Sequence, residues 1–194
     1  MRLVLASASP RRRELLRSAG IEFRVEKAQI PEVLEPGEEA KVFAQRLARE
    51  KALAVFQRMP RRYVLAADTV VWVDGQVLGK PADQADARQM LHLLSGRTHE
   101  VTTGVCLVGK ISSERAMTRF EDIRSETTLV TMAEISAQEI EDYIATGEPM
   151  DKAGAYAIQG MASRWVPCIQ GDYFNVVGLP IALVWRMLRE HEVV

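Results

Sequence analysis

Apolar residues in the first part of the sequence are spaced first as in a strand and then as in a helix. Leu3–Leu5 predict a short buried strand, and residues 10–19 repeat leucine and alanine at helical spacing before Gly20. Ser9 is a suitable N-cap for that helix, and Pro10 suits its first position. The sequence therefore opens with a predicted strand, a loop rich in hydroxyl groups, and a helix.

The remaining segments continue to alternate between the two spacings. They predict strands over 21–26, 63–73, 76–78, 101–108, 115–132 and 173–177, and helices over 37–58, 85–94, 136–147 and 178–190. Tyr63–Val73 is apolar enough for a central strand buried on both faces, and Asp74-Gly75 predicts a two-residue hairpin turn. Without repeats or a linker, this order predicts one α/β domain over residues 1–194, with two lobes around a central cleft.

Composition and charge narrow the classes of function. Hydrophobic residues make up 47% and charged residues 26%, and the formal net charge is −1, so no overall field favours nucleic acid or a membrane. Cys106 and Cys168 form no C-x-x-C motif, which predicts neither a disulfide framework nor a zinc site, and both are expected to be buried or half-buried. The sequence contains no membrane-spanning run and no signal-peptide pattern, so we expect a cytoplasmic protein.

Arginines crowd the first turn of the helix after Leu3–Leu5. Arg11, Arg12 and Arg13 lie where the helix dipole is already positive and acidic residues are preferred. An anion at this helix N-terminus would stabilise the arrangement, because backbone N–H groups, the Ser7 and Ser9 hydroxyls and the guanidinium groups could all bind phosphate oxygens. A solvated basic turn is the alternative, but the strand–loop–helix context favours phosphate binding.

Asp68 interrupts the predicted central strand. A carboxylate in such a run must be paired, bound to a cation or protonated, because an isolated buried charge is very unfavourable. It could simply cap a loop or pair with an arginine, but a functional carboxylate is favoured where a core strand opens into a cleft. Lys80 lies between glycine and proline on a short rigid loop, where it could meet a phosphate. Lys51, taken alone, is typical of a solvated helix lysine, and His99 has no evident partner for catalysis.

Taken together, a series of motifs resembles the Maf (septum-formation) family over nearly the whole chain. The motifs are Ser7-Ala8-Ser9-Pro10-Arg11-Arg12, Ala67-Asp68-Thr69, Gly79-Lys80-Pro81, Ser95-Gly96-x-Thr98-His99 and Asp151-Lys152-Ala153-Gly154-x-Tyr156-x-Ile158-Gln159-Gly160. Their order and spacing match the family from Leu3 to Gly178-Leu179-Pro180. Several motifs in register are far more specific than any one of them.

The resemblance implies a nucleoside triphosphate pyrophosphatase that cleaves between the α- and β-phosphates. It implies an elongated mixed β-sheet flanked by helices, similar to inosine triphosphate pyrophosphatases, a divalent cation (Mg²⁺ or Mn²⁺) and a homodimer. The catalytic aspartate of the family falls on Asp68, and its specificity positions fall on Arg11, Thr69 and Gln159. That set is similar to the branch that acts on dTTP and UTP, and it differs from the branch that acts on 7-methyl-GTP.

The residue types agree with such chemistry, because polyphosphate cleavage needs cations around the phosphates and carboxylates that hold metal. Candidate substrate-binding residues are Ser7, Arg11, Arg12, Lys51, Thr69, Lys80, Lys152 and Gln159, and candidate metal ligands are Glu32 and Asp68. The amide of Gln159 offers the donor and acceptor that a pyrimidine edge requires. The rival hypothesis is a nucleotide- or nucleic-acid-binding regulator of cell division. Such a binder has no need of Asp68, and the near-neutral net charge argues against a nucleic-acid partner.

Overall fold

The computed structural model of the protein describes residues 2–112 and 117–194. Over these residues the chain forms a mixed sheet of seven strands together with helices, which confirms the predicted α/β class. The strands are β1 (Leu3–Leu5), β2 (Arg24–Val25), β3 (Tyr63–Val73), β4 (Gln76–Leu78), β5 (Thr98–Ser112), β6 (Met117–Thr131) and β7 (Cys168–Gln170). The α-helices are α1 (Pro10–Ser18), α2 (Ala40–Arg58), α3 (Gln84–Leu94), α4 (Ala137–Ala145), α5 (Tyr173–Val177) and α6 (Ile181–Glu190).

The sheet combines parallel and antiparallel pairs. Its strand order is β2-β1-β3-β5-β6-β7, with β4 paired to β3 beside this path. β1 runs parallel to both β2 and β3, whereas β4 is antiparallel to β3 and β7 is antiparallel to β6. Asp74 and Gly75 join β3 to β4 with φ angles of 47° and 82°, the left-handed conformations of a tight hairpin. The predicted hairpin turn is therefore confirmed.

The chain divides into two compact units. The first comprises Met1–Asp68, Thr103–Glu126 and Gly178–Val194, and the second comprises Thr69–Thr102 and Thr127–Val177. None of the helices in the described part of the chain combines the length and the apolar character needed to cross a membrane.

In the first unit, α2 packs its apolar face on β1, β3 and β5. Alanine and valine side chains of the helix join Val4, Val64 and Val108 of these strands in one buried cluster. The helix backbone comes very close to β5, because a Cβ on Gly104 would lie 2.3 Å from the carbonyl oxygen of Ala44. Only glycine permits this approach, so Gly104 allows α2 to pack closely against the sheet.

In the second unit, α3 and α4 contribute to a core that contains several aromatic residues. The rings of Tyr143 and Trp165 meet edge to face with centroids 5.3 Å apart, and both side chains are buried. The helix α4 starts with a complete capping box, in which Ser136 and Glu139 each accept the backbone N–H of the other. The predicted capping box is therefore confirmed.

Tyr173–Val177, which the sequence predicts as a strand, is the helix α5, so that prediction is wrong. The Oδ1 atom of Asp172 accepts the N–H of Phe174 at 2.7 Å and supports the first turn. The buried Nδ2 of Asn175 donates to the carbonyl oxygen of Val101 at 2.8 Å and to Thr128 Oγ1 at 2.9 Å. These hydrogen bonds to other elements outweigh the strand preference of an aromatic and β-branched run.

Several smaller expectations also change. The predicted strand over 21–26 is shortened to Arg24–Val25, and the short edge strand Cys168–Gln170 has no counterpart in the sequence prediction. The first residues of the strand predicted over 115–132 lie outside the described part of the chain. Cys106 is buried as expected, but Cys168 is exposed, so the prediction that both cysteines are buried or half-buried is wrong for Cys168.

Candidate active site

The loop between β1 and α1 brings hydroxyl groups to a helix N-terminus. The side chain of Ser9 accepts the N–H of Arg12 as the N-cap of α1, and the buried Ser7 Oγ accepts the N–H of Ser9 at 3.1 Å. Pro10 occupies the first position, and the first turn contains no acidic residue. The N-cap and the helix start are confirmed, and the positive end of α1 is not neutralised by its own carboxylates.

Arg12 turns back from this helix onto the backbone of the first unit. Its Nε donates to the carbonyl oxygen of Gly178, and its Nη1 donates to that of Ala67, both at 2.8 Å. Burial lowers the pKa of the guanidinium, and the nearby charge of Asp68 opposes that shift. Because Ala67 immediately precedes Asp68, Arg12 holds the backbone of β3 at the point where the candidate catalytic residue is attached.

Lys51 lies between the candidate metal ligands. Its Nζ is 2.5 Å from Asp68 Oδ1 and 2.6 Å from Glu32 Oε1. The side chains of Lys51 and Asp68 are 11% and 10% exposed, whereas that of Glu32 is 45% exposed. The ammonium group therefore offsets the charge of a carboxylate that is almost wholly withdrawn from water. Lys51 is thus not the solvated helix lysine that its own sequence surroundings suggest.

The same cluster fits a hard divalent cation. Oxygen atoms of Asp68 and Glu32 converge on a single positive charge, and carboxylate oxygens are the ligands that Mg²⁺ and Mn²⁺ prefer. The described residues contain no group of three or more His, Cys, Asp or Glu side chains arranged to hold a metal. A site with one or two carboxylates, completed by substrate phosphates, needs no larger group.

In the second unit, the loops that carry Lys80 and Lys152 lie side by side. The N–H of Gly154 donates to the carbonyl oxygen of Gly79 at 3.0 Å, and Gly154 has a φ of 68°. A Cβ on Gly154 would lie 3.0 Å from the side chain of Val71, two residues after Thr69 in β3. Lys80 is exposed on its loop. One backbone contact therefore joins the loops of Lys80 and Lys152, and it lies against the side chain of Val71 in β3.

Lys152 is held by its neighbours. Its Nζ donates to the carbonyl oxygen of Glu148 at 3.3 Å and pairs with the carboxylate of Asp151, and its side chain is 13% exposed. Gln159 differs, because its side chain is exposed and makes no hydrogen bond within residues 2–112 and 117–194. The amide of Gln159 is therefore free of competing partners in this part of the protein.

His99 forms a buried pair with Tyr156 of the same unit. Its Nε2 lies 2.7 Å from Tyr156 Oη, and the two rings meet edge to face. Burial lowers the pKa of His99 from 6.5 to about 4 and raises that of Tyr156. This neutral imidazole is buried in the core of the second unit, where its hydrogen-bond partner is Tyr156.

The structure divides the predicted site residues between two groups. The first unit contains Ser7, Arg11, Arg12, Glu32, Lys51 and Asp68, and the second contains Thr69, Lys80, Lys152 and Gln159. Sequence reasoning missed the carbonyl groups of Ala67 and Gly178 that hold Arg12, and it assigned no role to Glu148. Backbone acceptors leave no side-chain signal, and Glu148 lies in an irregular stretch whose spacing does not show its partners.

Comparison with known proteins covers almost the whole chain. The family model described as Maf-like protein matches residues 2–191. A dTTP/UTP pyrophosphatase from Koribacter versatilis is 62% identical over 189 residues, which are 97% of this chain and 94% of the relative. The dTTP/UTP pyrophosphatases from Citrifermentans bemidjiense and Symbiobacterium thermophilum are 52% and 49% identical, over 96% and 97% of this chain and 94% and 93% of their own lengths. The chain therefore belongs to the Maf family.

Proposed function

We propose that this protein is a nucleoside triphosphate pyrophosphatase that acts on dTTP and UTP. Water attacks the α-phosphorus, the bond from that phosphorus to the oxygen bridging to the β-phosphate breaks, and the products are the nucleoside monophosphate and pyrophosphate. The observation that carries the proposal is the cluster in which Asp68 lies 2.5 Å from the Lys51 ammonium, with Glu32 on the same group. The names of relatives that are 49–62% identical over nearly the full chain support it.

In this proposal Asp68 accepts a proton from the attacking water. Its carboxylate is almost fully withdrawn from solvent, and Arg12 holds the adjoining carbonyl group of Ala67 at 2.8 Å. A base on a rigid strand keeps its orientation toward the water with little loss of entropy during the reaction. The ammonium group of Lys51 lies 2.5 Å from Asp68 Oδ1 and offsets the negative charge of this carboxylate.

Asp68 and Glu32 would also hold a divalent cation, Mg²⁺ or Mn²⁺. When bound, the cation would neutralise negative charge on the phosphates and on the leaving pyrophosphate. Glu32 is the more exposed of the two carboxylates, so it can move toward a cation more easily than Asp68. Glu32→Gln is therefore expected to raise the Mg²⁺ concentration required for half-maximal turnover, and an unchanged requirement would exclude Glu32 as a ligand.

The basic residues and hydroxyl groups bind the triphosphate, and a smaller set selects the base. We assign phosphate binding to Ser7, Arg11, Arg12, Lys51, Lys80 and Lys152, and selection of the pyrimidine to Arg11, Thr69 and Gln159. Two N–H groups of Arg12 already bind carbonyl oxygens, so its contribution to phosphate binding is mainly its charge. Gln159 is exposed and can offer both a donor and an acceptor to a base edge.

Product analysis of the wild-type protein with dTTP, UTP and Mg²⁺ tests the reaction itself. We expect the monophosphate and pyrophosphate, and release of the diphosphate and orthophosphate would contradict the proposal. Asp68→Asn keeps the shape of the side chain and removes its charge, so we expect a folded protein with turnover lowered about 10²–10⁴-fold. Asp142→Asn, at an exposed aspartate of α4, is the matched control and is expected to leave turnover unchanged.

Calorimetry separates this function from that of a regulator that only binds nucleotide. Asp68→Asn is expected to bind dTTP at least as tightly as the wild type, because a negative charge near the phosphates has been removed. If the wild-type protein binds dTTP without hydrolysing it under any divalent cation, the regulator is favoured. If Asp68→Asn retains near-normal turnover, Glu32 would have to act as the base.

A further inference from the structure

Glu148 connects three parts of the second unit through one side chain and its own carbonyl group. Its Oε1 accepts the Tyr143 hydroxyl of α4 at 2.9 Å and the N–H of Met161 at 3.1 Å, and its Oε2 lies 3.3 Å from the same N–H. Its carbonyl oxygen accepts Lys152 Nζ at 3.3 Å. Glu148 thus links Tyr143, near the end of α4, to Met161, which lies two residues after Gln159.

The carboxylate of Glu148 rests directly against the backbone beside Gln159. A Cβ on Gly160 would lie 2.0 Å from Glu148 Oε1 and 2.5 Å from its Cδ. Any side chain at position 160 would therefore displace the carboxylate or the segment. Glycine at this position is explained by the approach of Glu148, since its φ of −101° demands no glycine.

The segment from Tyr156 to Met161 is consequently held at both ends. Tyr156 is fixed by His99 at 2.7 Å, and Met161 is fixed by Glu148. Between them, the N–H of Gly160 closes a turn onto the carbonyl oxygen of Ala157 at 3.0 Å. Gln159 projects from this turn with an exposed side chain, so its amide starts from an anchored backbone.

We propose that Glu148 is a positioning residue for base selection. By holding Gly160 and Met161, it sets the direction from which Gln159 presents its amide to the pyrimidine. Glu148 itself does not contact the nucleotide. The inference rests on the proposed function, because it takes Gln159 to be the residue that contacts the base. Its physical basis is preorganisation: an amide that is already oriented loses less entropy on binding the correct base and adapts less readily to a wrong one.

The test compares kcat/KM for dTTP with kcat/KM for dATP in Glu148→Ala, Gln159→Ala and the double variant. This ratio does not depend on the fraction of folded enzyme, so loss of stability alone leaves it unchanged. We expect Glu148→Ala to lower the ratio about tenfold, the size of one lost polar contact. The double variant is expected to show the same ratio as Gln159→Ala, because Glu148 acts only through Gln159.

Two further variants separate positioning from general support. Glu148→Gln retains an acceptor for the Met161 N–H. It is therefore expected to keep the ratio of kcat/KM for dTTP to kcat/KM for dATP closer to the wild-type value than Glu148→Ala does. Glu141→Gln removes an exposed carboxylate of α4 that pairs with Arg88, and it is expected to leave the ratio unchanged. If Glu148→Ala does not fold, Gly160→Ala forces the Glu148 carboxylate and the backbone beside Gln159 apart, and it is expected to lower the ratio in its place.

The possible outcomes are distinguishable. A normal ratio in Glu148→Ala and Gly160→Ala, with a lowered ratio in Gln159→Ala, overturns the positioning role while the proposed function stands. A normal ratio in Gln159→Ala overturns base recognition by that residue and the role of Glu148 with it. A wild-type protein that releases no pyrophosphate from dTTP or UTP overturns the proposed function itself.

Discussion

His99 makes the free energy of unfolding depend on pH in a direction that follows from its surroundings. The side chain is buried, and its Nδ1 has no hydrogen-bond partner within the described residues. Protonation would place a positive charge and a second N–H where neither water nor an acceptor compensates for them. Burial therefore lowers the pKa of His99 from 6.5 to about 4.

The sign and size of the effect follow from the two pKa values. Between pH 6.5 and about 4, the unfolded chain binds a proton at His99 that the folded protein does not bind. Above pH 6.5, a change of pH therefore does not alter the contribution of His99 to the free energy of unfolding. As the pH falls from 6.5 to about 4, the free energy of unfolding decreases. The difference between the two pKa values corresponds to a loss of about 3 kcal/mol once the pH reaches 4.

Urea unfolding of the wild type and of His99→Gln at pH 7 and at about pH 4 measures this contribution. Other groups titrate over the same range, so the informative quantity is the difference between the two proteins in their loss of stability. We expect His99→Gln to lose about 3 kcal/mol less than the wild type. His92→Gln, at an exposed histidine of α3, is the matched control and is expected to follow the wild type. Equal losses in His99→Gln and the wild type would refute the reasoning.

Packing and backbone contacts of the first unit lead to two more predictions, both measured by urea unfolding. Gly104→Ala places a Cβ 2.3 Å from the carbonyl oxygen of Ala44 and is expected to lower the free energy of unfolding by about 1–3 kcal/mol. Gly79→Ala, with open space around it, is expected to stay within about 0.5 kcal/mol of the wild type, and equal losses would contradict the packing argument. Arg12→Lys keeps the charge but cannot hold both carbonyl oxygens, so a loss of about 1–2 kcal/mol is expected. Arg61→Lys, at an exposed arginine, is expected to have no measurable effect, and the same result for Arg12→Lys would refute its anchoring role.

Local signals predicted the parts of the fold whose stabilising contacts are close in sequence. The N-cap at Ser9, the hairpin at Asp74-Gly75 and the capping box at Ser136 each depend on residues within about one helical turn or one tight turn. The long apolar run of β3 likewise indicated burial on both faces, and most of its residues are buried. These features need no knowledge of the rest of the chain.

The chemistry of the candidate site was only partly visible in the sequence. Asp68 stands out because a carboxylate inside an apolar strand needs a partner for its charge, but the neighbouring sequence does not show which residue that partner is. Lys51 resembles an ordinary surface lysine until α2 packs on the sheet and brings its ammonium group to Asp68 and Glu32. The motif resemblance pointed to Asp68, and residue type alone made Lys51 and Glu32 candidates, but neither showed that one positive charge joins the two carboxylates.

The remaining features depend on contacts between segments that are far apart in the chain. Asn175 holds α5 in place through Val101 and Thr128, against the strand preference of its own segment. Glu148 reaches Met161 across the loop that carries Gln159. Periodicity reports which face of an element is apolar, but it does not report which distant polar group that face will meet. A buried polar atom must find a partner when the chain folds, and the packing of whole elements determines which partner is within reach.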